Sequence, residues 1–273
     1  MLVSRSQVKY IQSLGHKKFR DEEGVFIAEG PKIVGELLCV PGMRCRQIYA
    51  LKKWISSQDD RGAAAYPNAA ALAPNAALVP NVARVPVVAR VPIQEVGEAD
   101  LERCSALSTP NQVVALFEKP SFPPPEFNKG ITVVLDGIQD PGNLGTIVRT
   151  ADWFGIATVL CSADSADVFN AKAIQSTMGS IGRVQVLYSD PVAMIRRYPE
   201  LPVYAAVLGG KSLYDTVRPG RGWIVIGNES KGIGSELLEL ATDRITIPGT
   251  GRAESLNAAV ATGIILSHLA APL

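Results

Sequence analysis

Three short stretches of this 273-residue chain place polar side chains of complementary chemistry directly after apolar runs. In LDGIQDPGNLGTIVRT, Pro141 and Gly142 suit a turn, Asn143 stands where a helix N-cap is expected, and Arg149 follows nearly two turns on. In VIGNESKGIGSELLE, Gly227, Asn228 and Glu229 come immediately after an apolar run. In ITIPGTGRAESLNAAVATG, a glycine-rich loop leads into Ser255, Leu256 and Asn257. Amides and a hydroxyl orient a polar ligand, a carboxylate accepts its hydrogen bonds, and a guanidinium adds a positive charge that persists at any physiological pH. Such a set can stabilise negative charge that develops during a reaction.

Metal and dinucleotide chemistry fit poorly. His16 and His268 are the two histidines, and Cys39, Cys45, Cys104 and Cys161 are scattered without a CxxC pair. No zinc site or disulfide framework is expected, and a reducing compartment is the default. A dinucleotide enzyme on an ordinary doubly wound sheet needs a GxGxxG fingerprint, which follows none of the expected strands. Each stretch also has a plain structural explanation. Asn143 and Ser255 could be caps, the glycines at 227–234 could serve positive φ angles, Glu229 could complement a helix dipole, and Arg149 could be a surface ion-pair partner. Their recurrence after successive strands favours a shared site.

The elements that would position them read as follows. From ITVVLDG onward, ATVLC, RVQVLY, VYAAVL, GWIVIG and DRITIP are continuous apolar runs, as strands buried on both faces require. Helices fall between most of them; in the one that carries Arg149, Leu144, Ile147, Val148 and Ala151 share a face. This predicts an α/β domain with a mostly parallel sheet over 131–273, whose ligands sit beyond the carboxyl ends of the strands. A proline-rich linker at 119–130 precedes it. Residues 1–118 form a smaller α/β domain, with VFIAEG, QIYAL and QVVALF as strands and KIVGELL as a helix. Prolines 67, 74, 80, 86 and 92 mark a low-complexity Pro/Ala insertion at about 61–92, to which no chemistry is assigned.

Composition adds limits. The chain is 47% hydrophobic and 19% charged, with a net charge of +1, so total charge selects no partner. Arg5, Lys9, Lys17, Lys18 and Arg20 form a local basic opening able to meet phosphates, or simply a solvated helix face. No signal peptide and no membrane-length apolar run is found, so a cytoplasmic protein is expected.

Asn143-Leu-Gly-Thr-Ile-Val-Arg149, Ile226-Gly-Asn-Glu229-Ser-Lys-Gly232 and Glu254-Ser-Leu-Asn257-Ala-Ala-Val-Ala resemble, in order and spacing, the three motifs of the SpoU (TrmH-like) family of SPOUT methyltransferases. RDEEGVFIAEGPKIVGELL is similar to the small substrate-binding domain that many members carry. Ser230 departs from the pattern, where glycine is common, and the Pro/Ala insertion lies outside it.

The resemblance implies a trefoil knot in the C-terminal domain and S-adenosylmethionine as cofactor, held near Leu208, Gly209, Gly227, Asn228, Ile247 and Leu256. It implies methyl transfer to a ribose 2′-hydroxyl of RNA, ribosomal RNA being favoured over tRNA, by a homodimer. Arg149, often described as the base in the family, better suits gripping a phosphate and steadying an alkoxide, because a guanidinium gives up its proton so reluctantly. Asn143, Glu229, Ser255 and Asn257 are the implied positioning residues. An RNA-binding module with a dead site would need one of these five to be missing, and all are present.

Overall fold

A computed structural model describes residues 3–59, 91–107 and 109–270. Most of the Pro/Ala insertion, residues 61–90, lies outside them. The chain divides into two compact units, Met1–Pro120 and Ser121–Leu273.

The first unit is built on a four-stranded sheet in the order β1-β4-β2-β3, with β1 (Val25–Glu29), β2 (Cys45–Ala50), β3 (Ile93–Glu95) and β4 (Val113–Glu118). β4 runs antiparallel to both neighbours, and β2 and β3 are parallel. Pro92, at the end of the expected insertion, accepts from the Ile48 N–H at 2.9 Å and so runs beside β2. Helices α1 (Arg5–Ser13), α2 (Lys17–Glu23), α3 (Pro31–Leu38), α4 (Lys52–Asp59) and α5 (Glu98–Cys104) accompany the sheet. A capping box between Ser4 and Gln7 starts α1. Val8 and Ile11 then point into a core with Val25, Ile27, Tyr49, Leu101 and Leu116.

The basic opening needs a correction. Arg20 is only 4% exposed, and its guanidinium donates to the carbonyls of Leu14 and Gly15 at 2.7 and 2.8 Å. It ties the α1–α2 turn together and presents no charge to a phosphate. Lys17 and Lys18 are exposed but pair with Asp21 (2.9 Å) and Glu22 (3.8 Å), one helical turn later.

The second unit carries a six-stranded sheet in the order β10-β8-β9-β5-β6-β7, every pairing parallel. Its strands are β5 (Ile131–Asp136), β6 (Thr158–Cys161), β7 (Gln185–Tyr188), β8 (Val203–Ser212), β9 (Gly222–Gly227) and β10 (Asp243–Thr246). β5, β6 and β9 are almost wholly buried, which is why their sequences do not alternate. The helices are α6 (Pro141–Trp153), α7 (Ala171–Thr177), α8 (Pro191–Arg196), α9 (Ser235–Glu239) and α10 (Ala258–Leu269). One core gathers Val134, Leu160, Val203, Val225 and Leu237 around Trp223, which meets Phe127 at a ring-centroid distance of 4.9 Å.

On α6 the buried residues are Leu144, Gly145, Ile147, Val148 and Ala151. At Gly145 the absent side chain lets α7 come close. A Cβ at 145 would sit 2.4 Å from the Ala173 carbonyl oxygen and 2.6 Å from Ser176 Cβ. Backbone cannot yield there as a flexible side chain would, so Gly145→Ala should destabilise the second unit by about 1–3 kcal/mol. Urea unfolding followed through the environment of Trp223 tests this; an unchanged midpoint would refute the close contact.

Candidate functional site

Because all six strands are parallel, the loops after β5, β9 and β10 leave the same edge of the sheet. The loop after β5 starts α6 one turn earlier than the sequence suggested. Pro141 occupies the first helical turn and Asp140 is the N-cap, its carboxylate accepting from the Asn143 N–H at 2.9 Å. Asn143 therefore lies within the first turn, and its side chain is left for other work. The Asp-Pro pair was the overlooked signal.

The loop after β9 folds back on itself. Asn228 and Gly232 bond each other through both backbone groups, at 3.0 and 2.9 Å. A Cβ at Gly227 would lie 2.3 Å from the Gly232 carbonyl carbon, so this fold-back requires glycine. The Asn228 side chain donates to the Gly137 carbonyl (2.7 Å) and accepts from the Ser230 and Lys231 N–H groups. It shapes the loop that presents Glu229. Gly137 in turn donates to Ser162 Oγ at 2.8 Å, and Ser162 donates to Asp164 at 2.6 Å. That support comes from β6 and was not legible in the sequence. Glu229 is not at a helix N-terminus, since α9 begins only at Ser235.

The third loop ends in a cap, and the cap is Asn257 rather than Ser255. Its Oδ1 accepts from the N–H groups of Ala259 and Val260 at 3.0 and 3.3 Å. Residues 249–256 are exposed and make no backbone hydrogen bond to a described residue.

The three loops meet at Asn143. Its amide nitrogen donates to Glu229 Oε1 at 2.5 Å, and its amide oxygen accepts from Asn257 Nδ2 at 3.0 Å. Arg149 is exposed on the same helix, roughly 9 Å further along its axis at 1.5 Å per residue, with no hydrogen bond or ion pair to a described residue. Ser255 is exposed in the third loop. Leu208 (76% exposed) and Gly209 (φ +80°) belong to β8, Ile247 follows β10 half-buried, and Leu256 is exposed. A groove of about 660 Å³ opens elsewhere, at the amino ends of the strands beside Ile131, Thr158, Gln185 and Gly220, and contains none of these residues. Among the described residues no three His, Cys, Asp or Glu side chains cluster as a metal site. No described helix is long and apolar enough to cross a membrane.

The family described as SpoU rRNA Methylase matches residues 130–267, and the MRM3-like substrate binding domain matches residues 5–115. The chain is 28% identical to the 23S rRNA (guanosine(2553)-2'-O)-methyltransferase RlmP of Bacillus subtilis, over 96% of this chain and 95% of that protein. A solved TrmH-family structure from Porphyromonas gingivalis shares 37% identity at a TM-score of 0.77, covering 98% of both chains. An AdoMet-bound rRNA methyltransferase from Sinorhizobium meliloti shares 27% identity at a TM-score of 0.73, covering 98% of this chain and 96% of that one.

The amide bridge makes a titration prediction. Asn143→Asp would replace the donor facing Glu229 with a second acceptor, and like charges so close raise the pKa of a carboxyl. The folded variant then holds a proton that the unfolded chain releases near pH 4. Relative to the unchanged protein, its stability should fall as pH rises above that value, reaching a deficit of about 0.5–1 kcal/mol at pH 7 for this exposed contact. Thermal melts of both proteins at pH 4 and pH 7 check it; a pH-independent difference would count against the bridge.

Proposed function

The chain belongs to the SpoU rRNA Methylase family, and we propose that it moves a methyl group from S-adenosylmethionine to a ribose 2′-hydroxyl of ribosomal RNA. The observation that carries this reading is the junction at Asn143, which joins Glu229 and Asn257 from two other loops and lies on the same helix that exposes Arg149, a guanidinium with no partner among the described residues.

When bound, the cofactor supplies a methyl group carried on a cationic sulfur. The residues present fit it. Leu208 and Leu256 offer apolar surface, Gly209 has open space around it, and residues 249–256 hold backbone donors and acceptors with no described partner. Few polar anchors on apolar walls suit an adenine ring. Leu208, Gly209, Gly227, Ile247 and Leu256 line this site, and Asn228 shapes it from behind.

Since the methyl is already activated, the chain's main task is alignment of the accepting oxygen. Arg149 grips the phosphate beside the target ribose and steadies the oxygen as its proton leaves. A permanently protonated guanidinium is no base, so that proton leaves to bulk water, which reaches the exposed Arg149, Glu229 and Ser255. Asn143, Glu229, Ser255 and Asn257 orient the ribose and Arg149. The N-terminal domain read from the sequence, residues 1–118, joined by a linker at 119–130 to the methyltransferase domain 131–273, holds the RNA; the match of residues 5–115 to a substrate binding domain supports this. Arg5, Lys9, Lys17 and Lys18 remain its candidate phosphate contacts, without Arg20. Acting on ribosomal RNA, the protein would work in the cytoplasm.

Two further parts of the reading concern assembly. Trp153 (84% exposed), Val217 (82%) and Tyr214, with Val260 on α10, leave apolar surface uncovered near the site helices, which a second copy of the chain would bury. The trefoil knot is supported by β10 lying outside β8 while α10 returns to pack on α6.

Arg149→Ala should lower methyl transfer to ribosomal RNA by about 10²–10³-fold. Binding of S-adenosylmethionine, measured by calorimetry, should change little. Normal turnover with radiolabelled cofactor would sink the assignment. Sedimentation at micromolar concentration should give twice the 29.1 kDa chain mass, and Trp153→Glu should shift it toward one chain; a monomeric parent protein would discard the dimer.

A further inference from the structure

One ion pair reaches the site from outside its three loops. Lys172, near the start of α7, donates to Asp140 Oδ2 at 2.5 Å. The other carboxylate oxygen, Oδ1, accepts the backbone N–H of Asn143 at 2.9 Å. Asn143 is the residue whose amide joins Glu229 and Asn257. A cation on α7 thus anchors the carboxylate that anchors the junction.

The packing is built to deliver it. The close approach at Gly145 brings α7 against α6, and Asn170 caps α7 through the Lys172 N–H at 2.9 Å. Gly142 clears the path of the side chain. A Cβ there would stand 2.8 Å from Asp140 Oδ1 and 3.1 Å from Lys172 Cε, displacing both partners. The Lys172 ammonium, with the Asn143 N–H adding to it, holds the Asp140 carboxyl below the usual carboxylate range.

We infer that Lys172 is a positioning residue for methyl transfer: by fixing Asp140 it fixes the first turn of α6 and the direction of the Asn143 amide. The inference rests on the methyl-transfer reading and adds to it a residue that none of the three motifs contains. Its effect should fall on turnover more than on stability. Both side chains are substantially exposed, 62% for Lys172 and 43% for Asp140, and such pairs add little to folding free energy. Alignment of a reacting group, by contrast, is sensitive to shifts of an ångström or less.

The test uses the full chain, radiolabelled S-adenosylmethionine, and ribosomal RNA from cells lacking this gene. Lys172→Met and Asp140→Asn should each lower kcat about tenfold, with KM for the cofactor and Tm nearly unchanged. Lys172→Arg should restore at least half of the lost rate. The double variant should be no slower than the slower single one, because both break the same contact. Full turnover in Lys172→Met, no rescue by arginine, or losses that multiply would each overturn the inference. Asp140→Asn keeps an oxygen that can accept the Asn143 N–H and so keeps the cap; should it nonetheless fail to fold, the Met and Arg variants at position 172 decide alone. An inactive parent protein would instead overturn the methyl-transfer reading, before any variant is compared.

Discussion

A single side-chain amide with both its ends engaged is the constraint on which the candidate site depends. Asn143 donates a hydrogen bond to a carboxylate and accepts one from another amide, so Glu229 and Asn257 are held by opposite ends of one planar group. No carboxylate, hydroxyl or ammonium of similar size offers a fixed donor and a fixed acceptor in that geometry. The loops it joins follow strands β5, β9 and β10, and they can meet only because parallel strands send their carboxyl ends to one edge.

The phase of α6 determines what that edge presents. Burying Leu144, Ile147, Val148 and Ala151 against the unit's interior leaves Thr146, Arg149 and Trp153 facing outward. A guanidinium with no described partner therefore follows from core packing: the inward face is filled by aliphatic side chains, and the charge has one direction left. The same packing is tightened by the missing side chain at Gly145.

Much of this was legible in the chain itself. Strands buried on both faces must be apolar throughout, so β5, β6 and β9 announce themselves, and the polar residues directly after them mark the site. Boundaries were less legible. Asn143 and Ser255 look like caps, yet Asp140 and Asn257 fill those positions, because cap preference is shared by several residue types and three-dimensional bonding selects among them. Charge misled at Arg20, since composition cannot tell a solvated guanidinium from one satisfied by two carbonyls. The support from Ser162, Asp164 and Lys172 had no signal at all. Ser162 lies 25 residues from Gly137 and Lys172 lies 32 from Asp140, and only the fold makes them neighbours.

The eight residues 249–256, exposed and without described backbone bonds, carry a thermodynamic consequence. Immobilising such a segment around a small molecule costs about 1–2 kcal/mol of conformational entropy per residue. Affinity there is governed by how restricted the segment already is when empty, as much as by contact area. Its two ends are tethered, at Thr246 by the sheet and at Asn257 by the amide junction. Loosening either tether would weaken binding without removing a single ligand contact.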